Sequence, residues 1–141
     1  MTTIIRKPAF RVWIEGRPLS MQANGRNLVK YKQTVRDAVR AVIPHPTKSK
    51  RIGIEIYFRA QKGIRPDVDN IIKPILDALK EVVYIDDEQV RSVVSVALPE
   101  DDAYTVTEYT SIETINRLTT YPPKEFMVDI YEGLAIYSFP P

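Results

Sequence analysis

The sequence lacks cysteine, which excludes disulfides, zinc–thiolate sites and thiol nucleophiles together. Its single histidine, His45, lies between two prolines in a basic loop, so a histidine-based catalytic triad is disfavoured. Neither G-x-G-x-x-G nor G-x-x-x-x-G-K-[ST] occurs, and we therefore expect no nucleotide cofactor. No apolar run approaches the ~18 to 20 residues of a membrane span, so no membrane partner is expected.

The length and composition predict one globular domain. A chain of 141 residues can bury one modest core, and 44% hydrophobic with 27% charged residues is typical of a soluble protein. The first residues, MTTIIRKPAF, lack the apolar centre of a signal peptide. Together with the absence of cysteine, these features favour a cytoplasmic location.

The net charge of +2 hides an uneven distribution of charge along the chain. Residues 1–65 hold 15 Lys and Arg against 3 Asp and Glu, a balance of +12, whereas residues 66–141 hold 5 against 15, a balance of −10. Such a split indicates a basic surface for a polyanion beside an acidic centre. Alternatively, the two parts neutralise each other across the fold or across a dimer, and charge alone leaves both interpretations open.

The hydrophobic periodicity predicts four strands and three helices, the third of them short. Alternation of apolar and polar residues is typical of strands, and apolar residues at spacings of three and four are typical of helices. Their order predicts an α+β fold (an α/β sandwich) with two main helices on a small mixed sheet. The predicted strands are 9–16, 52–60, 91–99 and 126–132, and the predicted helices are 28–43, a helix capped by Asp69 or Asn70 and reaching Leu79, and 111–119. In the first helix the spacing places Val42 on the apolar face and Lys32 on the opposite face, and the third helix begins with the Ser-x-x-Thr of Ser111 and Thr114.

Four aspartates flank the second predicted helix. Asp67 and Asp69 are two residues apart, so in an extended segment their carboxylates project to the same side. Lys73 follows Asp69 by four residues and precedes Asp77 by four, so on a helix these three side chains would share one face and Lys73 could pair with Asp77. If the next strand returns beside the start of the helix, Asp86 or Asp87 can complete the cluster.

Such a cluster suits a hard divalent cation. Carboxylate oxygens favour Mg²⁺ or Mn²⁺, which also accept phosphate oxygens. Lys73 would then oppose negative charge that develops on a phosphate. Each feature also has an ordinary explanation, since aspartates cap helices, form turns and pair with lysines on surfaces. On the pattern alone, both explanations remain open.

The basic part of the chain leads directly into this acidic segment. A surface of this kind binds the phosphates of DNA, although solvated lysines and arginines without a partner would give the same pattern. The candidate DNA-binding residues are Arg26, Lys32, Lys48, Lys50, Arg51, Lys62 and Arg65.

Several of these motifs together resemble the RusA family of Holliday-junction resolvases, which prophages often encode. The resemblance is carried by DVDN at 67–70, Lys73, DAL at 77–79 and IDDEQV at 85–90. These match the D-x-D-N, the lysine, the D-A-L and the D-D-x-Q-V of that family at its spacings. The similarity is strongest over residues 52–98. Residues 100–125 look like an insertion into a single domain of residues 1–141, and residues 133–141 look like an added tail.

The resemblance implies a RusA-like fold, a homodimer and Mg²⁺-dependent, symmetric nicking of four-way DNA junctions. It implies that Asp67, Asp69 and Asp87 bind the metal, that Asp86 assists, and that Lys73 is the catalytic lysine. Asn70 matches the asparagine of the family and would contact DNA or cap the helix. Two other functions are retained as alternatives: a non-catalytic DNA-binding protein with a structural acidic cluster, and a nuclease for other branched DNA.

Overall fold

A computed structural model of the chain describes residues 8–63, 67–99 and 111–133. The predicted order of strands and helices is confirmed over these residues, and so is the α+β class. A short 3₁₀ helix at Asp87–Gln89 is an addition to the prediction. The other elements are β1 (Phe10–Glu15), α1 (Gly25–Arg40), β2 (Ile52–Arg59), α2 (Ile72–Leu79), β3 (Val90–Leu98), α3 (Ile112–Leu118) and β4 (Glu125–Glu132).

The four strands form one mixed sheet in the order β1-β4-β2-β3. β2 and β3 are parallel and are connected through α2, as a parallel pair requires. The last strand, β4, lies between β1 and β2 and is antiparallel to both. The strand that comes last in sequence therefore joins the two parts of the sheet.

The main core lies between one face of this sheet and helices α1 and α2. Ile52, Ile54, Ile56 and Phe58 of β2 are buried there, as their alternation predicts. The two helices contribute an apolar side each, and each is in contact with the other. Their buried side chains are Tyr31, Val35 and Val39 of α1 and Pro74, Ile75, Ala78 and Leu79 of α2.

The opposite face of the sheet is polar and is contacted by α3. Arg11 and Asp129 are register partners on β1 and β4, and the guanidinium donates to both carboxylate oxygens at 2.8 and 2.9 Å. Arg11 also donates to the hydroxyl of Thr114 on α3 at 3.3 Å. The predicted cap of α3 is confirmed, because the Ser111 hydroxyl accepts from the Thr114 amide at 3.1 Å.

The boundaries of α1 differ from the prediction. The helix begins at Gly25 because the side chain of Asn24 accepts a hydrogen bond from the Arg26 amide at 2.9 Å. It ends at Arg40, before Pro44, and Val42, which was predicted on the apolar face, is 43% exposed.

The predicted cap of α2 is wrong. Neither Asp69 nor Asn70 caps the helix: its N-cap residue is Ile71, which has no side-chain capping bond. The reason is that residues 67–70 close a turn of their own, in which the Asn70 amide donates to the Asp67 carbonyl at 3.1 Å. Pro74 lies in the first turn of α2, where a missing amide hydrogen is tolerated.

Parts of the predicted insertion and tail lie outside the described residues. Of residues 100–125, the structure describes 111–125, which carry α3 and the start of β4, and of residues 133–141 it describes Gly133. Across the described ranges, no helix has the length and apolar character needed to cross a bilayer.

Candidate active site

The first acidic segment is an exposed turn that precedes α2. Asp67 and Asp69 are both exposed, and the Asn70 side-chain amide donates to the Asp67 carboxylate at 3.3 Å. The Met21 amide donates to the Asn70 carbonyl at 3.0 Å and so connects the loop between β1 and α1 to this turn. Asn70 thus orients Asp67 and does not cap the helix.

The second acidic segment forms the 3₁₀ helix before β3. The Asp86 side chain caps this helix by accepting from the Glu88 amide at 3.0 Å. Asp87 starts the 3₁₀ helix, is exposed, and lies 3.2 Å from the ammonium of Lys80. The ordinary structural role considered for Asp86 is therefore present, while the Asp87 carboxylate forms an exposed ion pair with Lys80.

Lys73 interacts electrostatically with Asp77 and with the second acidic segment. Its ammonium lies 2.6 Å from Oδ1 of Asp77, and Oδ2 of Asp77 lies 3.4 Å from the ammonium of Lys32 on α1. The hydrogen bond and charge of Asp77 raise the pKa of Lys73, and the charge of Asp87 adds to this effect. Lys73 therefore stays protonated at neutral pH and can act as a cation but not as a base.

The carboxyl of Asp77 is subject to opposing effects. Partial burial would raise its pKa, but the ion pairs with Lys73 and Lys32 outweigh burial and lower it. Asp77 is therefore ionised at neutral pH and joins α1 to α2, which Arg36 reinforces by donating to the Asp77 carbonyl at 3.2 Å. The predicted Lys73–Asp77 pair is present, whereas Asp69 lies in the turn before the helix and does not share its face.

The donor chemistry of the site fits a divalent cation, but the described residues do not bring three carboxylates together. Asp67 and Asp69 precede α2, whereas Asp86 and Asp87 follow it. Within residues 8–63, 67–99 and 111–133, no three Asp, Glu, His or Cys side chains lie close enough together to hold a metal ion. Mg²⁺ commonly takes only one or two protein carboxylates and completes its shell with water and phosphate oxygens. The exposed pair Asp67 and Asp69 provides donors of that type.

Tyr84 secures the turn that leads from α2 to the second acidic segment. Its ring is buried, and its hydroxyl donates to the Leu76 carbonyl at 2.9 Å. Burial, together with the charges of Asp87 and Asp77, raises the pKa of Tyr84 to about 12. The hydroxyl remains neutral near pH 7 and holds the turn against α2.

Most of the predicted DNA-binding residues have exposed side chains. Lys32 differs, because its ammonium pairs with Asp77 and it lies against α2, although the helical pattern predicts it on the opposite face. Arg65 lies outside the described residues, and Asn70 contacts Asp67. The exposed residues of this set are Arg26, Lys48, Lys50, Arg51 and Lys62.

Two side chains near the site were not singled out from the sequence. Lys80 pairs with Asp87, a contact across a turn that no helical spacing indicates. Gln89 makes four hydrogen bonds that join the second acidic segment to the loop before β2. Its place in the D-D-x-Q-V motif was the available signal, but the motif gave it no role. A shallow depression beside it is lined by Lys50, Asp86, Glu88, Gln89 and Arg91.

Comparison with known proteins agrees with the motifs. The family described as endodeoxyribonuclease RusA matches residues 14–108, a range that includes Asp67, Asp69, Lys73 and Asp87. A search of curated proteins gave no match. The matched range is more than half of the chain and covers both acidic segments and α2 between them. The chain therefore belongs to the RusA family of endodeoxyribonucleases.

Proposed function

We propose that this chain is a divalent-metal-dependent endonuclease that resolves four-way DNA junctions, as a homodimer, by paired symmetric nicks during recombination and repair. The observation that carries the proposal is the family match, because it spans both acidic segments and the lysine between them. The exposed carboxylates and the protonated Lys73 supply the chemistry that phosphodiester hydrolysis requires.

Asp67, Asp69 and Asp87, assisted by Asp86, would hold Mg²⁺ or Mn²⁺. Because the described residues do not bring these carboxylates together, binding of metal and DNA would have to draw the two acidic segments toward each other. When bound there, the cation would neutralise charge on the scissile phosphate and acidify a water molecule. Asn70 keeps one Asp67 oxygen in place through its amide, and the two turns keep the carboxylates at the surface, where a phosphate can reach them.

Lys73 would oppose the negative charge that develops on the phosphate oxygens or on the leaving oxygen. Its side chain is 66% exposed and so can contact DNA, while Asp77 pairs with its ammonium. A preorganised cation of this kind typically contributes about 3 kcal/mol to transition-state stabilisation. The exposed cations Lys48, Lys50, Arg51 and Lys62 would bind the flanking phosphates.

The test uses a synthetic four-way junction with Mg²⁺ or Mn²⁺ and the variants Asp69→Asn and Asp87→Asn. We expect paired nicks from the wild type and cleavage at least about 100-fold slower in each variant, with junction binding preserved, because a lost metal carboxylate affects hydrolysis more than phosphate binding. Asp37→Asn, which makes the same change at an exposed position of α1, should cleave like the wild type.

Three results would contradict the proposal. Wild-type rates in Asp69→Asn and Asp87→Asn would remove these carboxylates from the mechanism. Salt-sensitive junction binding without nicking under any divalent metal would instead support the non-catalytic DNA-binding alternative. Faster cleavage of flaps than of four-way junctions would assign a different branched substrate.

A further inference from the structure

The side chain of Gln89 uses all of its hydrogen-bonding capacity. A glutamine amide offers two donor hydrogens and two acceptor lone pairs. Oε1 accepts from the amides of Ile85 and Asp86, both at 2.9 Å. Nε2 donates to the carbonyls of Thr47 and Ser49, at 3.1 and 2.8 Å. One side chain therefore connects two segments that are about forty residues apart in sequence.

The two segments are the acidic turn and the basic loop. The acceptor side holds Ile85 and Asp86, directly before the predicted metal carboxylate of Asp87. The donor side holds the loop of residues 45–51, which carries Lys48 and Lys50. The distance from the acidic turn to these cations thus depends on Gln89.

The two sides of Gln89 make different chemical demands. The capping box of the 3₁₀ helix needs only an acceptor at this position, and glutamate satisfies such a box as well as glutamine does. The bonds to the Thr47 and Ser49 carbonyls need donors, which an ionised glutamate lacks. The contacts to the loop therefore require glutamine, although the cap of the turn does not.

A second contact joins the loop to the same region without using Gln89. The Thr47 amide donates to the Val83 carbonyl at 2.8 Å. The loop should therefore remain near the turn when Gln89 is changed, while the path from Thr47 to Ser49 loses both bonds to its carbonyls. A substitution should shift the cations of the loop without detaching it.

We propose that Gln89 is a positioning residue that aligns the Asp86–Asp87 turn with the cations Lys48 and Lys50. The inference rests on the proposed function, because that function places the scissile phosphate at the turn and a flanking phosphate at the loop. A phosphodiester backbone has fixed spacing between phosphates, so simultaneous contact at both places requires a fixed distance between turn and loop. Gln89 sets that distance.

The test separates the two sides of Gln89 by substitution. Gln89→Glu keeps the acceptor for the turn and removes the donors for the loop, and combining it with Glu88→Gln leaves the local formal charge unchanged. Gln89→Met removes both the acceptor for the turn and the donors for the loop. Glu88→Gln alone is the matched control, because Glu88 is exposed and lies on the same short helix.

Two measurements on the full chain need no cleavage. In Gln89→Met, hydrogen exchange at the Ile85 and Asp86 amides should rise about 5- to 10-fold, whereas the charge-balanced double variant should retain wild-type protection there. Binding to a four-way junction in EDTA should weaken about 3- to 10-fold in both variants, with a shallower dependence of affinity on salt. A purely structural role would lower the melting temperature and leave the salt dependence unchanged.

Wild-type affinity and salt dependence in the folded double variant would overturn the inference, and the double variant decides the question even if Gln89→Met fails to fold. With Mg²⁺ present, both variants should cleave about 10- to 100-fold more slowly than the wild type. If the wild type binds junctions but never cleaves them, the proposed function fails, while the binding measurements still decide the role of Gln89.

Discussion

At the scale of single residues, Asp77 pairs with two lysines, one of which is Lys73. One carboxylate oxygen lies 2.6 Å from Lys73 and the other 3.4 Å from Lys32, so two cations from two helices share one anion. The pKa of Asp77 is lowered and that of Lys73 is raised, which favours both charged forms at neutral pH. A carboxylate outside the predicted metal-ligand set thus pairs with the proposed catalytic cation and holds its position on α2.

Asp77→Asn tests this pairing through the pH dependence of stability. A carboxyl whose pKa is lowered by folding stabilises the folded state above its unfolded pKa, and this stabilisation is lost as pH falls through the lower, folded value. Because these side chains are partly exposed, we expect the free energy of unfolding of the wild type to exceed that of Asp77→Asn by only about 0.5 to 1 kcal/mol near pH 7. Urea unfolding should show this difference disappearing below about pH 4, the ordinary aspartate pKa. A difference that persists in strong acid would refute the electrostatic explanation, and Asp37→Asn serves as the control.

At the scale of elements, the turn between α2 and the 3₁₀ helix positions the second acidic segment. The Glu81 amide donates to the Tyr84 carbonyl at 2.6 Å, and Tyr84 anchors the turn to α2. In this tight turn Glu81 has a φ of 70°, which lies in the left-handed region that glycine adopts most readily. Local backbone strain thus accompanies the reversal of the chain toward Asp86 and Asp87.

Glu81→Gly should relieve that strain. We expect stabilisation of about 0.5 to 1 kcal/mol, because the cost of a left-handed side-chain residue exceeds the added entropy of glycine in the unfolded chain. Calorimetry should show a melting temperature about 2 °C higher. Glu81→Ala removes the same side chain but keeps the strain, so it should show no gain, and equal melting temperatures for the two variants would contradict this account.

At the scale of the whole molecule, some residues of the basic part pair with residues of the acidic part, while others remain exposed at the surface. Lys32 and Arg11 from the basic part pair with Asp77 and Asp129 from the acidic part, as mutual neutralisation predicts. Lys48, Lys50, Arg51 and Lys62 remain exposed, as a surface for a polyanion requires. Mutual neutralisation is therefore present at these two pairs, whereas binding of a polyanion by the exposed cations stays a prediction.

The exposed cations predict a steep salt dependence of junction binding. Replacing Lys48 and Lys50 with glutamine should reduce the slope of log affinity against log salt by about 1 to 2, since roughly one counterion is released for each phosphate contact. Titrations of labelled junction between about 50 and 200 mM salt would measure this slope. Arg117→Gln removes a cation of α3, which contacts the opposite face of the sheet from α1 and α2, and should leave the slope unchanged. An unchanged slope in the double variant would exclude this loop from the DNA interface.

Local patterns determined the elements and the family of this protein. The alternation in β2, the helical spacing in α1 and the Ser111 cap were all readable, because they depend on neighbours within a few residues. The motif from Asp67 to Val90 was likewise readable as spacing alone, and the family match confirms what it indicates about identity.

Only the tertiary structure decided which side chains meet. The pairing of Lys32 with Asp77, the insertion of β4 between β1 and β2, and the four bonds of Gln89 all join residues far apart in sequence. The start of α2 was mispredicted because a closed turn at residues 67–70 delayed the helix beyond Asp69. Local spacing specifies which face a residue occupies, whereas contact between segments depends on how the helices and strands pack, and packing is a property of the whole chain.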